Sequence, residues 1–138
     1  MSLALIKKGL DDKVLEKITD ISLKKALLNT QDKNIKNYSN KEMQDLIKYL
    51  LKMCKFIGIT DPPELDVLQM IGQFIKDYWG HLNIKEINDA IYLSIKNNEI
   101  NHFNKLTPQI LNKAFTQYHS NRQKALFQYR KHYSELYE

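Results

Sequence analysis

The chain has 138 residues, of which 43% are apolar and 27% are charged, and its formal net charge is +5. The length fits one domain with a core of ordinary size, and the composition is that of a globular protein. The positive charge permits nucleic-acid or acidic protein partners but falls well short of a histone-like excess. Four glycines and three prolines are fewer turn residues than sheet-rich proteins and glycine-rich phosphate loops normally need.

The compartment is predicted from the single cysteine and from the lack of long apolar runs. Cys54 excludes an internal disulfide, and its apolar surroundings predict a buried thiol. The apolar run of residues 3–6 stops at Lys7, which is too short for a secretory signal. No stretch approaches the roughly 20 apolar residues that a membrane span requires. The sequence therefore predicts a cytoplasmic protein without a membrane partner.

Helix caps and apolar spacing predict the elements in chain order. The first helix is expected over residues 12–28, with Ser22 as the point at which it could break. The polar stretch 29–40 is interpreted as a loop. Residues 1–38 are therefore a candidate for an N-terminal segment that is only loosely attached.

The next two helices have clear signals at both ends. Ser39 with Glu42 three residues later forms a capping box, and Gly58 ends the helix that follows. The third helix is expected to begin after Asp61, with two prolines in its first turn, and to end at Gly80. Its apolar residues cover a wide arc, which predicts a central and well-buried helix.

The fourth and fifth helices complete the predicted fold. Asn83 caps the fourth, with Glu86 at its third position, and 99–106 is a connection whose apolar residues turn inward. Thr107 precedes a proline that opens the last helix, predicted over 108–136 and roughly 40 Å long. The sequence thus predicts an all-α fold, a single-domain bundle of about five helices with a long C-terminal helix.

Motifs for catalysis, metal binding or helix-turn-helix recognition are lacking. The four histidines never stand three or four residues apart, and no cysteine pair has zinc spacing. Asp61, Glu64 and Asp66 cluster at a helix start, where carboxylates complement the helix dipole. About ten residues separate the fourth and fifth helices, too many for the tight turn of a DNA-binding helix pair. We expect no enzyme, no cofactor and no metal site.

The second predicted helix carries a row of lysines opposite its apolar face. On a helix of 3.6 residues per turn, four of them fall within about 60° of one another. They are Lys41, Lys48, Lys52 and Lys55. Such a row suits contact with a phosphate backbone. The alternative is a lysine face that is simply solvated.

The last predicted helix combines aromatic and basic residues. Its apolar stripe includes Tyr118 and Tyr129, and Arg122 lies in the middle of that stripe. An arginine placed there must reach solvent, stack on a tyrosine or meet an anionic partner. The other candidates in this helix are Lys124, Phe127, Arg130 and Lys131. Tyrosines beside arginines are typical of interaction surfaces and suit stacking on bases; the alternative is a helix folded against its own core.

One part of the chain resembles a known group of proteins. The pattern is Leu82-Asn83-Ile84-Lys85-Glu86-Ile87, then Ala90, Leu106-Thr107-Pro108, Ile110-Leu111, Tyr118 and Arg122. Residues 82–124 thereby resemble a helical segment in small proteins of bacteriophages and mobile elements of Bacteroidetes, including crAss-like phages. The resemblance implies an accessory replication factor similar to helicase loaders, in which only Tyr118 and Arg122 carry function. Asn97-Asn98 stands where the pattern usually has a glycine.

Two functions are predicted. The first is a non-enzymatic adaptor in phage or mobile-element DNA metabolism, which binds nucleic acid or a replication protein in the host cytoplasm. The second is a structural or virion-associated component that forms a homo-oligomer through the helix 108–136. Salt-sensitive binding to nucleic acid would favour the first.

Overall fold

The computed structural model describes residues 2–96 and 106–138, and within them it contains helices and no strand. The predicted all-α fold with a long C-terminal helix is confirmed, but the described residues hold seven α-helices instead of about five. The elements are α1 (Leu3–Lys8), α2 (Asp12–Glu16), α3 (Ile21–Asn29), a 3₁₀ turn (Ile35–Asn37), α4 (Asn40–Phe56), α5 (Leu65–Trp79), α6 (Ile84–Lys96) and α7 (Pro108–Tyr137). The predicted helix stop at Asn97 and the inward turn of Ile100 and Phe103 lie outside the described residues.

The N-terminal region consists of three short helices, and the stretch predicted as a helix over 12–28, with a possible break near Ser22, is divided into α2 and α3. Asp11 Oδ1 accepts hydrogen bonds from two backbone N–H groups at the start of α2, at 2.9 and 3.1 Å. Asp20 Oδ1 does the same for α3, at 2.9 and 3.2 Å. Each aspartate starts a new helix, because such side-chain bonds to nearby backbone compete with continuing the previous one. The break therefore lies at residues 17–20, ahead of Ser22.

The boundaries of α4 confirm the sequence signals, whereas the start of α5 does not. The Glu42 N–H donates to Ser39 Oγ at 3.2 Å, and the Glu42 carboxylate accepts from the Ser39 N–H at 3.0 Å. Gly58 follows α4 with φ of 82°, a left-handed conformation that suits glycine. α5 begins at Leu65 and not directly after Asp61. The two intervening prolines explain the delay, because a residue that precedes proline is disfavoured in the helical conformation.

α5 is not buried all round, contrary to the prediction from its wide apolar arc. Leu68 and Ile75 are buried in the core, while Val67, Met70 and Tyr78 are exposed. The arc is wide because an exposed apolar strip adjoins the buried face. α5 therefore lies at the side of the bundle.

The buried side chains form two clusters, and α7 contributes to both. The main core joins α4, α5 and α6 to the first half of α7, where Phe115 is buried. The second cluster joins α1, α2 and α3 to the second half of α7, so residues 1–38 supply fully buried side chains such as Ile6 and Leu27. The 30 residues of α7, about 45 Å, span both clusters. Neither α7 nor any other described helix is apolar enough over a sufficient length to cross a bilayer.

The segment predicted as a loop, 29–40, is held against the turn between α5 and α6. The Ile35 N–H donates to the Leu82 carbonyl at 2.8 Å, and the Lys36 N–H donates to the Gly80 carbonyl at 2.9 Å. Gly80 permits this approach, since a Cβ at that position would lie 2.9 Å from Lys36 Cβ. The start of α4 is thereby fixed relative to α6.

Candidate nucleic-acid interface

The four lysines predicted from the sequence form an exposed row on α4. All of them are exposed, and none forms an ion pair with any residue in 2–96 or 106–138. From Lys41 to Lys55 the row extends for about 21 Å along the helix. Asp45 lies on the same face, so three positive charges remain in excess. We call Lys41, Lys48, Lys52 and Lys55 the lysine row.

An aromatic cleft lies beside the lysine row, between α4 and α6. Its volume is about 180 Å³, and the side chains that matter for its shape are Tyr49, Lys52, Met53, Phe56, Tyr92 and Ile95. The rings of Phe56 and Tyr92 are 5.4 Å apart between centroids and tilted by 39°. Phe56 is 65% exposed and Tyr92 is 47% exposed. Two neighbouring helices therefore present a pair of touching aromatic rings to solvent next to Lys52.

The cleft continues into a second hollow along the same helix pair. This hollow has a volume of about 310 Å³ and shares Tyr49 and Asn88 with the cleft. It adds Lys85 of α6 and Lys25 of α3. Lys85 pairs with Asp32 at 3.2 Å and Lys25 pairs with Asp89 at 2.7 Å, although both lysine side chains are about 60% exposed. The cleft and the hollow together form what we call the α4–α6 groove.

A hydrogen bond between α4 and α6 lies at the centre of the groove. The Tyr49 hydroxyl donates a hydrogen bond to Asn88 Oδ1, which joins α4 to α6 directly. Burial raises the pKa of the Tyr49 hydroxyl, so this group stays protonated as a donor. Beneath the groove, Leu50 and Ile91 belong to the main core. The walls of the groove are thus positioned by packed helices and not by loops.

A second basic surface lies on the C-terminal half of α7. Lys124 and Lys131 are exposed, Phe127 is 64% exposed, and Arg130 is half-buried. The apolar side of this half of α7 packs in the second cluster, whereas the apolar side of α4 packs in the main core. The structure therefore does not combine the two predicted sets of basic residues into one surface.

The other three residues predicted for binding, Tyr118, Arg122 and Tyr129, lie inside the protein. Arg122 Nε donates to Glu86 Oε2 at 2.8 Å, and the Tyr118 hydroxyl donates to the same oxygen at 3.3 Å. The Tyr129 hydroxyl accepts from the Asp11 N–H at 2.9 Å. The sequence left three possibilities open for Arg122, namely solvent, a stack on a tyrosine or an anionic partner; the structure instead pairs it with Glu86 of α6 within the chain. These side chains hold the two clusters together and are not part of the surface.

The Glu86–Arg122 pair is deeply buried. The side chains of Arg122 and Glu86 are 3% and 0% exposed. Burial raises the pKa of Glu86, and the positive charge of Arg122 acts in the opposite direction. Burial also raises the pKa of Tyr118. No buried ion pair was predicted for Glu86, because nothing in the sequence shows that α7 crosses α6 at that position.

The histidines form no metal site among the described residues. His81 and His119 have ring centroids 5.4 Å apart next to Trp79, but no group of three ligating side chains comes together there or elsewhere in 2–96 and 106–138. Burial, followed by the charge of Arg122, lowers the pKa of His81 to about 4. His81 is therefore neutral at physiological pH. This aromatic cluster packs α5 against α7.

Sequence reasoning missed Phe56, Tyr92 and Lys85 as candidate binding residues. A partial signal exists for Phe56, which lies four residues after Lys52 and hence beside the lysine row. Tyr92 stands seven residues after Lys85, so these two share the outer face of α6. That α4 and α6 are neighbours is a property of the tertiary structure, which the sequence pattern did not reveal.

Comparisons with protein-family models, with curated proteins and with solved structures gave no match. The resemblance of residues 82–124 to helical proteins of phages and mobile elements stays a prediction. The candidate site therefore consists of an exposed lysine row on α4 and an aromatic cleft between α4 and α6.

Proposed function

We propose that this protein is a non-enzymatic accessory protein of phage or mobile-element DNA metabolism, and that it binds nucleic acid through the lysine row. The observation that carries the proposal is the exposure of four lysines, unpaired within the described residues, on one face of a helix of 17 residues. Lysine contacts to phosphates release condensed counterions, which favours binding without any need for a base-specific pattern.

The position of the row on α4 supports this role. The apolar face of α4 is fixed in the main core by Leu46, Leu50 and Cys54, all fully buried. The backbone that carries the lysines is therefore ordered before binding, and only the lysine side chains lose freedom on contact with phosphates. This reduces the entropic cost of association compared with a disordered basic tail. The net charge of +5 adds long-range attraction to a polyanion.

The proposal is tested by binding of fluorescently labelled DNA to the full chain at low salt, measured by fluorescence anisotropy. A triple variant with Lys48→Gln, Lys52→Gln and Lys55→Gln is expected to bind more weakly by about tenfold or more, taking about 0.5–1 kcal/mol per lost phosphate contact. The matched control replaces three other exposed lysines, of the same total charge, which lie outside the row. They are Lys8, Lys13 and Lys17.

The control separates a specific surface from a general effect of charge. If the two triple variants weaken binding equally, the lysine row has no particular role. If the unaltered chain binds neither single- nor double-stranded DNA at low salt, the proposed function fails. A replication protein as the partner would then be the remaining form of the adaptor hypothesis, and a pull-down from the native host would identify it.

Self-association through residues 108–136 has less support. Most of the apolar stripe that suggested it, including Leu111, Phe115 and Leu126, is buried within the chain's own two clusters. Phe127 is the large apolar side chain that stays exposed in the middle of α7. We expect Phe127→Glu to leave the molecular mass in light scattering unchanged; a change from a larger species to the monomer would instead favour the self-association hypothesis.

A further inference from the structure

The aromatic cleft has features that a lysine row alone does not need. Phe56 and Tyr92 expose large parts of their rings to water, which is unfavourable. Binding of a ligand that buries these rings would therefore be favourable. They touch each other across two helices, with their ring planes tilted by 39°, so that a continuous aromatic surface lines the cleft. We infer that this cleft takes one unpaired base of a single-stranded nucleic acid whose phosphates lie on the lysine row. The inference rests on the proposed function and adds a preference for single strands.

The size of the cleft suits one aromatic ring system. Its volume is about 180 Å³, and a protein cavity of about 150 Å³ is known to hold benzene. A base that is paired and stacked in a duplex cannot enter such a space, whereas an unpaired base can turn outward and stack on an aromatic side chain. The cleft therefore distinguishes strands by whether their bases are free.

The chemistry of the cleft is sequence-tolerant. Its floor is apolar, with Met53 and Ile91 both buried, and every base has a flat face that stacks on such a surface. Asn88 is the uncharged polar side chain at the edge, and its Oδ1 is already occupied by the Tyr49 hydroxyl. Contacts that read one particular base are thus few, and we expect little preference among the four bases.

Charge complementarity identifies the occupant as a nucleic-acid strand and not an apolar peptide. Lys52 lines the cleft itself. Lys48 and Lys55 lie one turn to either side of it, about 6 Å and 4.5 Å away along the helix. A base in the cleft would therefore have its flanking phosphates within reach of long cationic side chains. The hollow extends the groove beyond Tyr49 and Asn88, but its lysines, Lys25 and Lys85, are each already paired with an aspartate.

The test compares three fluorescent probes at low salt: a thymidine oligonucleotide of about 20 residues, the same backbone with abasic sites, and a duplex of equal length. The full chain is expected to bind the oligonucleotide best. A double variant with Phe56→Ala and Tyr92→Ala should bind it at least about fivefold more weakly, since one base–aromatic stack is lost, while its affinity for the duplex and the abasic strand stays the same.

Two control variants make this result specific. Phe127→Ala removes an aromatic side chain of similar exposure from α7, outside the groove, and should leave all three affinities unchanged. Phe56→Trp keeps a stacking surface and should retain the preference for single strands. Because Phe56 and Tyr92 are largely exposed, the double variant should fold, which its circular dichroism melting curve verifies.

The outcomes separate this inference from the proposed function. If the chain binds DNA through the lysine row but prefers duplex, or if the double variant keeps the single-strand preference, the inference is overturned and the proposed function stands. If no probe binds, both fail. If the double variant changes the mass of the protein in light scattering and not its DNA affinity, Phe56 and Tyr92 form a protein contact, which also overturns the inference.

Discussion

Replacing Arg122 with methionine removes the cation that neutralises Glu86 inside the protein. The Nε–Oε2 distance is 2.8 Å, and the two side chains are 3% and 0% exposed. Among described residues, the variant leaves this carboxylate hydrogen-bonded to the Tyr118 hydroxyl alone. Breaking a buried ion pair by removing one partner costs about 3–5 kcal/mol. Because domains of this kind are stable by about 5–15 kcal/mol, the melting temperature should fall by roughly 10 °C or more.

The loss of stability caused by Arg122→Met should depend on pH, because the charge of the Glu86 carboxyl group depends on pH. Burial raises the pKa of Glu86 even though Arg122 acts to lower it, so removing Arg122 raises this pKa further. Below the folded-state pKa the carboxyl group is neutral and needs no cation; above it, a buried charge is left without one. The difference in unfolding free energy between the unaltered chain and the variant therefore widens as pH rises through that pKa and narrows in acid.

Urea unfolding followed by circular dichroism at pH about 5 and about 8 measures this difference. The set should include Arg122→Met, Glu86→Gln and the double variant, which together form a double-mutant cycle. We expect the double variant to be more stable than the sum of the single effects predicts, since it contains no buried charge at this site. A loss below about 1 kcal/mol at the higher pH, or strict additivity, would refute the reasoning.

Three further predictions concern other contacts in the fold. Gly80→Ala should destabilise the fold by about 1–3 kcal/mol in urea unfolding, because its Cβ would lie 2.9 Å from Lys36 Cβ; an unchanged midpoint would contradict this close approach. Tyr129→Phe removes the acceptor for the Asp11 N–H and should cost about 0.5–1.5 kcal/mol, with faster amide hydrogen exchange at the start of α2; unaltered exchange there would show that the bond is unimportant. The lowered pKa of His81, about 4 against 6.5, means that the unfolded chain binds a proton before the native one does, so the melting temperature should fall as pH decreases from about 6.5 to about 4. His81→Gln should reduce that fall, and an identical pH profile would contradict it.

Local signals predicted the regular parts of the fold well. The capping box at Ser39, the cap at Thr107 and the end of α4 at Gly58 depend on neighbouring residues only, and all three are confirmed. The N-terminal helices were predicted less well because Asp11 and Asp20 each favour a new start over continuation. In each of these cases, the residue that determines a helix end lies within a few positions of that end.

The interior role of Arg122 was not predictable from such signals. An arginine in an apolar stripe needs an anion, and a single sequence does not say whether that anion is internal. Glu86 is 36 residues away and reaches Arg122 only because α6 packs against α7. The aromatic cleft was missed for the same reason, since Phe56 and Tyr92 meet only once α4 and α6 are side by side.

The salt dependence of DNA affinity tests the central claim most directly. For contacts from all four lysines of the row to a single strand, log affinity should fall against log salt concentration with a slope of about −3. The triple Lys48, Lys52 and Lys55 variant should reduce the magnitude of this slope by about 2, and the control at Lys8, Lys13 and Lys17 should not. An identical slope for all three proteins would contradict binding through the lysine row.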